Sequence, residues 1–369
     1  MTLFDKTADV PLYAKLTIFL VGFIALFYIL NLTSAIVVPI VFSLLLAIVL
    51  SPVVDFLVRH KFNRVFAIVI AILLSLILIS GLIAVIIYQV SQLTESWPQL
   101  IAKITVIVNQ AISEASASLG VKPDKLHTWI VETQNELLNF NSSSLGKTLM
   151  SVGSGITMFF LIPVYIFLIL LYQPIILEFI NQISGAENKV QIREVVTQTK
   201  KVVQHYLVGL LIEAGIVAVL DIAALFLLGI PYAILLGIMA ALLNMIPYLG
   251  GIVGAGVPMA IALATKDSPW FAVYVMVAFY VIQLIDNNYI VPKIVASKVK
   301  INALFSIIVV LAGNALWGIS GMFLSLPLLA IIKLTFDNFE PLKPWGFLLG
   351  DTLKPLIVIK PIFKRKKKP

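Results

Sequence analysis

The sequence has no cysteine and few histidines, and each shortage excludes a class of site. Without cysteine the chain has no disulfide, no thiol nucleophile and no thiolate metal ligand. The three histidines, His60, His127 and His205, lie far apart, and none has the spacing of a metal site. There is also no Walker motif, Ser/His pair or paired-Asp arrangement. We therefore expect neither an enzyme nor a bound metal or cofactor.

Charge is scarce as well. Charged residues make up 12% of the chain, hydrophobic residues make up 60%, and the mean hydropathy is +1.06. Soluble domains have about 25% charged and about 45–50% apolar residues. No charged residue occurs between Lys15 and Asp55, or between Arg64 and Glu95. The sequence therefore predicts an all-α, polytopic membrane protein whose main partner is the lipid bilayer.

The net charge of +8 could suggest a nucleic-acid partner. The basic residues instead flank apolar segments, as topogenic anchors do, so we expect no nucleic acid. Cytoplasmic loops carry the excess of Lys and Arg. The basic turn 59–64, the segment 175–204 and the C-terminal run 364–368 share one side if the N-terminus is inside. Both termini are therefore predicted to be cytoplasmic.

A spanning helix needs about 20 largely apolar residues. Five simple spans are predicted, at 12–30, 33–58, 65–90, 150–172 and 206–228. They divide the chain into an N-terminal unit 1–92, an extracytoplasmic amphipathic insertion 93–148, and a region 149–204 with the fourth span and a cytoplasmic amphipathic helix. A transport core, 205–340, and a cytoplasmic basic tail, 341–369, complete the chain.

Two apolar segments of the core, 233–265 and 303–333, are interrupted by residues that break helices. The interrupting residues are Asn244, Pro247, Gly250 and Gly251 in the first segment, and Gly313, Asn314, Gly318 and Gly321 in the second. If each segment enters and leaves on one side, Lys293 and the other basic residues before 301 become cytoplasmic. The sequence therefore predicts two re-entrant hairpins, which in transporters mark the substrate site.

The helix predicted at 270–291 carries polar residues at mid-span. Gln283, Asp286 and Asn287 have i, i+3, i+4 spacing, so they share one face that could contact the hairpin breaks. An ionisable group inside a membrane is costly and usually functional. The alternative is that Asp286 lies near the cytoplasmic end of the helix, where it reaches water or pairs with Lys293.

The fifth span contains Glu213 and Asp221, eight residues apart on roughly one side of the helix. They could form a proton or cation relay, although Glu213 is equally explained by a position near the cytoplasmic interface. Lys333, at the end of the last apolar run, is predicted to snorkel to the surface.

Three motifs together suggest a family. They are Pro247-Tyr248-Leu249-Gly250, the string from Gln283 to Asn287 followed by Pro292, and the string from Gly313 to Met322, with Trp317, Gly318 and Ser320, leading to Pro327. Over nearly its whole length the chain resembles the autoinducer-2 exporter family, also described as PerM-type permeases. The resemblance implies small-molecule export across the bacterial inner membrane, with some relatives acting as sodium/proton antiporters. It also implies a homo-oligomer, with a pentamer as one form.

Three functional hypotheses follow. An exporter of a small polar molecule predicts neutral polar groups at the hairpin tips, such as Asn244, Asn314 and Ser320. A cation/proton antiporter predicts essential buried carboxylates among the three acidic residues named above. A non-transporting membrane scaffold predicts that the hairpins are merely packed and that the polar residues reach water.

Overall fold

The computed structural model describes residues 11–119, 153–183, 185–246, 250–295 and 301–351. All regular elements in these ranges are helices, apart from a single antiparallel bridge between Ile301 and Gly350. The prediction of an all-α chain is therefore confirmed. Seven of the described helices are long and apolar enough to cross a membrane.

The first half contains four long helices. They are α1 (Leu12–Leu32), α2 (Ser34–Arg59), α3 (Arg64–Leu119) and α4 (Gly153–Ile183). Helix α1 has no buried residue, so most of its apolar surface is available to lipid chains. Helices α2, α3 and α4 form a core of buried aliphatic side chains centred on Ala67 and Ile68, both of which are fully buried.

Helix ends differ from the predicted boundaries in this half. Helix α3 has 56 residues and continues without a break past the predicted limit of the third span near residue 90. The fall in hydropathy near residue 90 indicates where contact with lipid ends. It does not end the helix there, because no glycine or proline lies between Gly81 and Pro98. Of the predicted insertion 93–148, residues 93–119 belong to this helix and the rest lies outside the described residues.

Helix α5 (Gly185–Leu227) has 43 residues and is the central element of the second half. It joins most of the predicted surface helix 175–204 to the fifth span, while residues 175–183 belong to α4. Two glycines show how closely the neighbouring helices pack on α5. A Cβ atom at Gly209 would lie 2.6 Å from the Ile294 carbonyl oxygen, and one at Gly237 would lie 2.5 Å from Ile222 Cγ1.

The segment 233–265 forms a helical hairpin. Helix α6 (Ala233–Asn244) and helix α7 (Gly250–Thr265) have 12 and 16 residues. At about 1.5 Å per residue each is shorter than the roughly 30 Å hydrocarbon layer. The two arms pack together, since a Cβ atom at Gly254 would lie 3.4 Å from Ala240 Cβ. The predicted break at Pro247 lies outside the described residues.

Helix α8 (Trp270–Ile285) runs directly into a π-helical segment, Asp286–Val295. Single π-helical turns inside helices are frequent at functional sites. Here the change of hydrogen-bonding pattern begins at the acidic residue that the sequence singled out.

Helix α9 (Ala303–Asn338) is bent sharply at Trp317 and Gly318. Gly318 has φ 60° and ψ −142°, a combination that is essentially restricted to glycine. A Cβ atom at Gly313 would collide with Ser325 Oγ and the Gly321 carbonyl oxygen. In a straight helix residues 313 and 321 would be about 12 Å apart, so the chain folds back on itself as a second hairpin.

A short C-terminal unit closes the base of this second hairpin. It consists of one 3-10 turn, Glu340–Leu342, and helix α10 (Lys343–Leu349). Asn302 caps α9 by accepting a hydrogen bond from the Phe305 N–H (3.2 Å), and its side-chain amide donates to the Leu348 carbonyl (3.2 Å). Part of the predicted tail 341–369 is therefore helical, and residues 352–369 lie outside the described residues.

Candidate functional site

A cavity of about 270 Å³ lies between α5, the first hairpin, α8 and the start of the π-helical segment. Its polar lining residues are Asp221, Asn244, Gln283 and Asp286, and Gly250 and Gly251 contribute backbone. Its apolar wall comprises Val217, Ala240, Gly254, Ala255, Met276, Phe279, Tyr280 and Ile282. The mixture of an apolar wall with a few convergent polar groups is typical of small-molecule sites.

Asp286 is the centre of the polar part of this cavity, and it is only 1% exposed. Its Oδ2 atom accepts a hydrogen bond from the Asn244 side-chain amide at 2.9 Å and a longer one from Gln283 at 3.5 Å. Its Oδ1 atom is buried and has no hydrogen-bond partner among the described residues. The carboxyl group therefore retains an acceptor that a bound solute, cation or proton could use.

The alternative prediction is that Asp286 reaches water or pairs with Lys293, and neither is the case among the described residues. Asp286 is buried, and the Lys293 ammonium group instead lies 3.8 Å from the centre of the Tyr289 ring. This cation–π contact uses a residue of the same π-helical segment.

The two acidic residues of α5 are buried as well. Glu213 is 6% exposed and Asp221 is 3% exposed, so both carboxyl groups are enclosed by protein. Both interact electrostatically with Asp286, and Asp221 lines the cavity whereas Glu213 does not. Within the described ranges, none of the three carboxyl groups forms an ion pair with a basic side chain, and no group of three potential metal ligands occurs.

The predicted polar face of α8 is only partly correct. Gln283 and Asp286 line the cavity, whereas Asn287 is exposed and is not among its lining residues. Asn287 stays connected through a 3.4 Å hydrogen bond from Gln283 Nε2 to its side-chain oxygen.

The predicted residues of the second hairpin do not line this cavity. The Trp317 indole N–H donates to the Leu30 carbonyl (3.0 Å), and the Asn31 amide donates to the Leu316 carbonyl (2.8 Å), so α1 is bound to the bend of α9. Asn314 and Gly318 are exposed and Ser320 is half-buried, while Gly313 and Gly321 form the close contact between the two arms. Among the described residues, the structure therefore does not bring the two predicted hairpin tips into one site.

The apolar wall on α8 was missed by reasoning from polar residues. Met276, Phe279 and Tyr280 precede Gln283 with i, i+3, i+4, i+7 spacing, so one face of α8 supplies both the apolar wall and the first polar group. This periodicity is present in the sequence, but it is equally typical of a helix face packed in a core.

The chain has long apolar helices, and its first hairpin is interrupted beside a buried carboxyl group, where a cavity lies. These features together are those of a polytopic membrane transporter. The family model for AI-2E family transporters matches residues 17–340, and the chain belongs to that family.

Individual relatives agree with this assignment. The AI-2 transport protein TqsA of Escherichia coli K12 is 25% identical over 335 residues, covering 88% of this chain and 92% of TqsA. Bacillus subtilis YueF is 33% identical over 110 residues, covering 30% of this chain and 29% of YueF. Bacillus subtilis YrrI is 31% identical over 134 residues, covering 36% of this chain and 37% of YrrI. The matched segments thus span well under half the length of the two Bacillus relatives.

Proposed function

We propose that this transporter exports a small polar molecule across the bacterial inner membrane and binds it in the cavity beside Asp286. The unpartnered Oδ1 atom of Asp286 is the observation that carries the proposal. A buried acceptor without a partner is costly, and a solute hydroxyl group would satisfy it. Asn244 and Gln283 add amide groups that both donate and accept.

The size and lining of the cavity favour a compact, hydroxyl-rich solute. At about 270 Å³ the cavity lies near the lower end of the range of roughly 300–1,000 Å³ for ligand pockets. Its apolar wall on α8 would contact the carbon skeleton, and its polar residues would bind hydroxyl groups. A furanosyl compound of the autoinducer-2 kind fits this description, and the name of the relative TqsA supports it.

The proposal includes a membrane arrangement. Both hairpins would be re-entrant, with the N- and C-termini in the cytoplasm, because this arrangement places the basic turn 59–64 and Lys293 inside. The first hairpin would then bring its tip, at Asn244 and Gly250, to the solute within the membrane. We also expect the transporter to work as a homo-oligomer, for which a pentamer is one form.

A second candidate function is cation/proton antiport. It is favoured by the three buried carboxyl groups, Glu213, Asp221 and Asp286, which have no basic partner among the described residues. Carboxyl groups buried together exchange protons for cations in many transporters. In this alternative Asp286 would bind the ion and the residues on α5 would relay protons.

Flux measurements on purified protein in liposomes separate these functions. The liposomes contain a furanosyl candidate solute and a pH-sensitive dye, and Asp286→Asn is compared with the native chain. The matched control is Asp267→Asn, because Asp267 is exposed. For an exporter we expect saturable solute efflux that survives Asp286→Asn with a raised KM. Proton-coupled cation flux that Asp286→Asn abolishes would support antiport. The absence of any flux would support the hypothesis of a non-transporting membrane scaffold.

A further inference from the structure

A second cavity, of about 370 Å³, lies among α2, α4, the first part of α5 and the end of α9, apart from the site around Asp286. Its lining is mainly aliphatic and includes Leu44, Ala47, Ile48, Ile169, Leu170 and Ile331. Ser51, Gln173, Thr199 and Thr335 add neutral polar groups. Among the described residues that line it, Lys200 alone is charged.

The charge of Lys200 is not neutralised within the described part of the chain. Its ammonium group donates to Ser51 Oγ at 2.7 Å and forms no ion pair there. Ser51 in turn donates to the exposed Asp55 at 3.3 Å. A second cation is close by, because Arg64 donates to the Gln173 side chain at 3.3 Å. The polar groups around this cavity thus combine two cations with one exposed carboxylate.

The cavity is accessible from the outer apolar surface of the helices. Leu44, Ile176 and Leu177 line it and remain 41%, 45% and 38% exposed. The next residues on α4, Ile175 and Phe179, are still more exposed. In a membrane protein such a surface faces acyl chains, so an acyl chain is the natural occupant of an apolar cavity that opens onto it.

We propose that this cavity binds one anionic phospholipid of the surrounding bilayer. An acyl chain lies against the aliphatic wall of α2 and α4, and the phosphate group accepts a hydrogen bond from the Lys200 ammonium group, which has three N–H donors. A zwitterionic headgroup is disfavoured because its ammonium group would lie near Lys200 and Arg64. The site is independent of solute transport, and it would brace α5, which carries Glu213 and Asp221, against the first half of the chain.

Native mass spectrometry of the purified full-length protein tests the proposal. Phosphatidylglycerol, phosphatidylcholine with the same acyl chains and free oleate are added in turn, and bound copies are counted. We expect phosphatidylglycerol to bind in preference to phosphatidylcholine. We also expect Lys200→Gln to weaken phosphatidylglycerol binding about fivefold. Lys201→Gln, which removes the same charge from an exposed neighbour, should leave binding unchanged.

Two further variants keep the test decisive. Lys200→Arg preserves the charge and should retain binding, so a general sensitivity of position 200 to substitution cannot explain the loss of binding in Lys200→Gln. Val196→Trp fills the cavity and should reduce the binding of every lipid.

Several results would overturn the proposal. Equal binding of the two phospholipids, or equal effects of Lys200→Gln and Lys201→Gln, would show that no anionic headgroup site exists. Oleate that displaces phosphatidylglycerol mole for mole would identify the ligand as a free fatty anion. Oligomers that exclude lipid and dissociate on Val196→Trp would identify the cavity as an interface between copies of the chain.

Discussion

The side-chain amide of Asn244 donates a 2.9 Å hydrogen bond to Oδ2 of Asp286. This bond joins the end of the first hairpin arm to the residue at which α8 becomes π-helical. It makes the tip of the hairpin and the buried carboxyl group one structural unit. In the proposed function, a solute bound to Asp286 would therefore contact the same unit as the hairpin, so that binding and hairpin movement could be coupled.

Replacing Asn244 with leucine should destabilise the protein. The variant leaves both oxygens of a buried carboxyl group short of donors, at a cost of about 1–3 kcal/mol. Thermal unfolding in detergent measures the effect. Asn288→Leu is the matched control, because Asn288 is exposed and its amide donates to a carbonyl of its own helix, so its effect should stay within about 0.5 kcal/mol.

A double-mutant cycle shows whether the loss comes from this bond. In an Asp286→Leu background the acceptor is absent, so Asn244→Leu should cost at least about 0.5 kcal/mol less than in the native chain. Strictly additive effects would mean that the two side chains do not depend on each other.

The sequence pattern locates the first hairpin and its polar partner because both follow from local chemistry. Glycine and proline interrupt an apolar run at 244–251, and Asp286 is costly wherever an apolar helix places it. Both features can be recognised in the sequence without knowledge of the fold. The contact between Asn244 and Asp286, 42 residues later, could be predicted from the expectation that polar groups inside a membrane form hydrogen bonds with one another.

The role of the second hairpin could not be predicted in the same way. Its glycines and Trp317 have the composition of a site, but Trp317 Nε1 donates to Leu30, 287 residues earlier in the chain. No local signal specifies such a partner. The ends of the helices were predicted incorrectly for a related reason. Hydropathy indicates where contact with lipid ends, whereas the backbone of α3 remains helical to Leu119 even though Pro98 lies inside the helix.

The first hairpin can be tested by cross-linking, since the native chain has no cysteine that would interfere. Position 254 carries a Cβ site 3.4 Å from Ala240 Cβ, close to the roughly 3.5–4.5 Å of disulfides. The pair Ala240→Cys and Gly254→Cys should therefore form a disulfide under mild oxidation. In a single straight helix the two positions would be about 21 Å apart.

Free thiol titration before and after oxidation measures the yield. The matched pair is Ala240→Cys with Gly256→Cys, because a Cβ atom at Gly256 has no neighbouring atom within 4 Å. This pair should stay reduced. Equal oxidation of both pairs would indicate collisions in an unfolded segment, and oxidation of neither would contradict the packed hairpin.

Alanine at Gly313 should destabilise the second hairpin. Its Cβ atom would collide with the Gly321 carbonyl, which is backbone and cannot rotate away. Forcing the arms apart should cost about 1–3 kcal/mol. Alanine at Gly256 should instead raise stability by about 0.5–1 kcal/mol, because that glycine is helical and unobstructed. Thermal unfolding compares the two variants, and a neutral Gly313→Ala would mean that the arms of α9 do not meet.

Lys333 and Asp337 should respond unequally to mutation. The prediction that Lys333 snorkels to the surface is wrong. Its side chain is 10% exposed and its ammonium group lies 2.6 Å from Asp337 Oδ2, whereas the Asp337 side chain is 40% exposed. The reason is the C-terminal helix α10, which covers the end of α9 so closely that a Cβ atom at Gly346 would collide with Asp337.

Removing Asp337 leaves a buried ammonium group without its partner, so Asp337→Ala should destabilise the protein by about 1–3 kcal/mol. Lys333→Met removes the buried charge and keeps the apolar stem, and the remaining carboxylate reaches water, so we expect a loss below about 1 kcal/mol. Thermal unfolding of the two single variants and of the double variant measures this. In the Lys333→Met background Asp337→Ala should become nearly neutral, because no ammonium group is then left unpaired. A larger loss for Lys333→Met than for Asp337→Ala would show that the ammonium group of Lys333 stabilises the protein through contacts other than its pairing with Asp337.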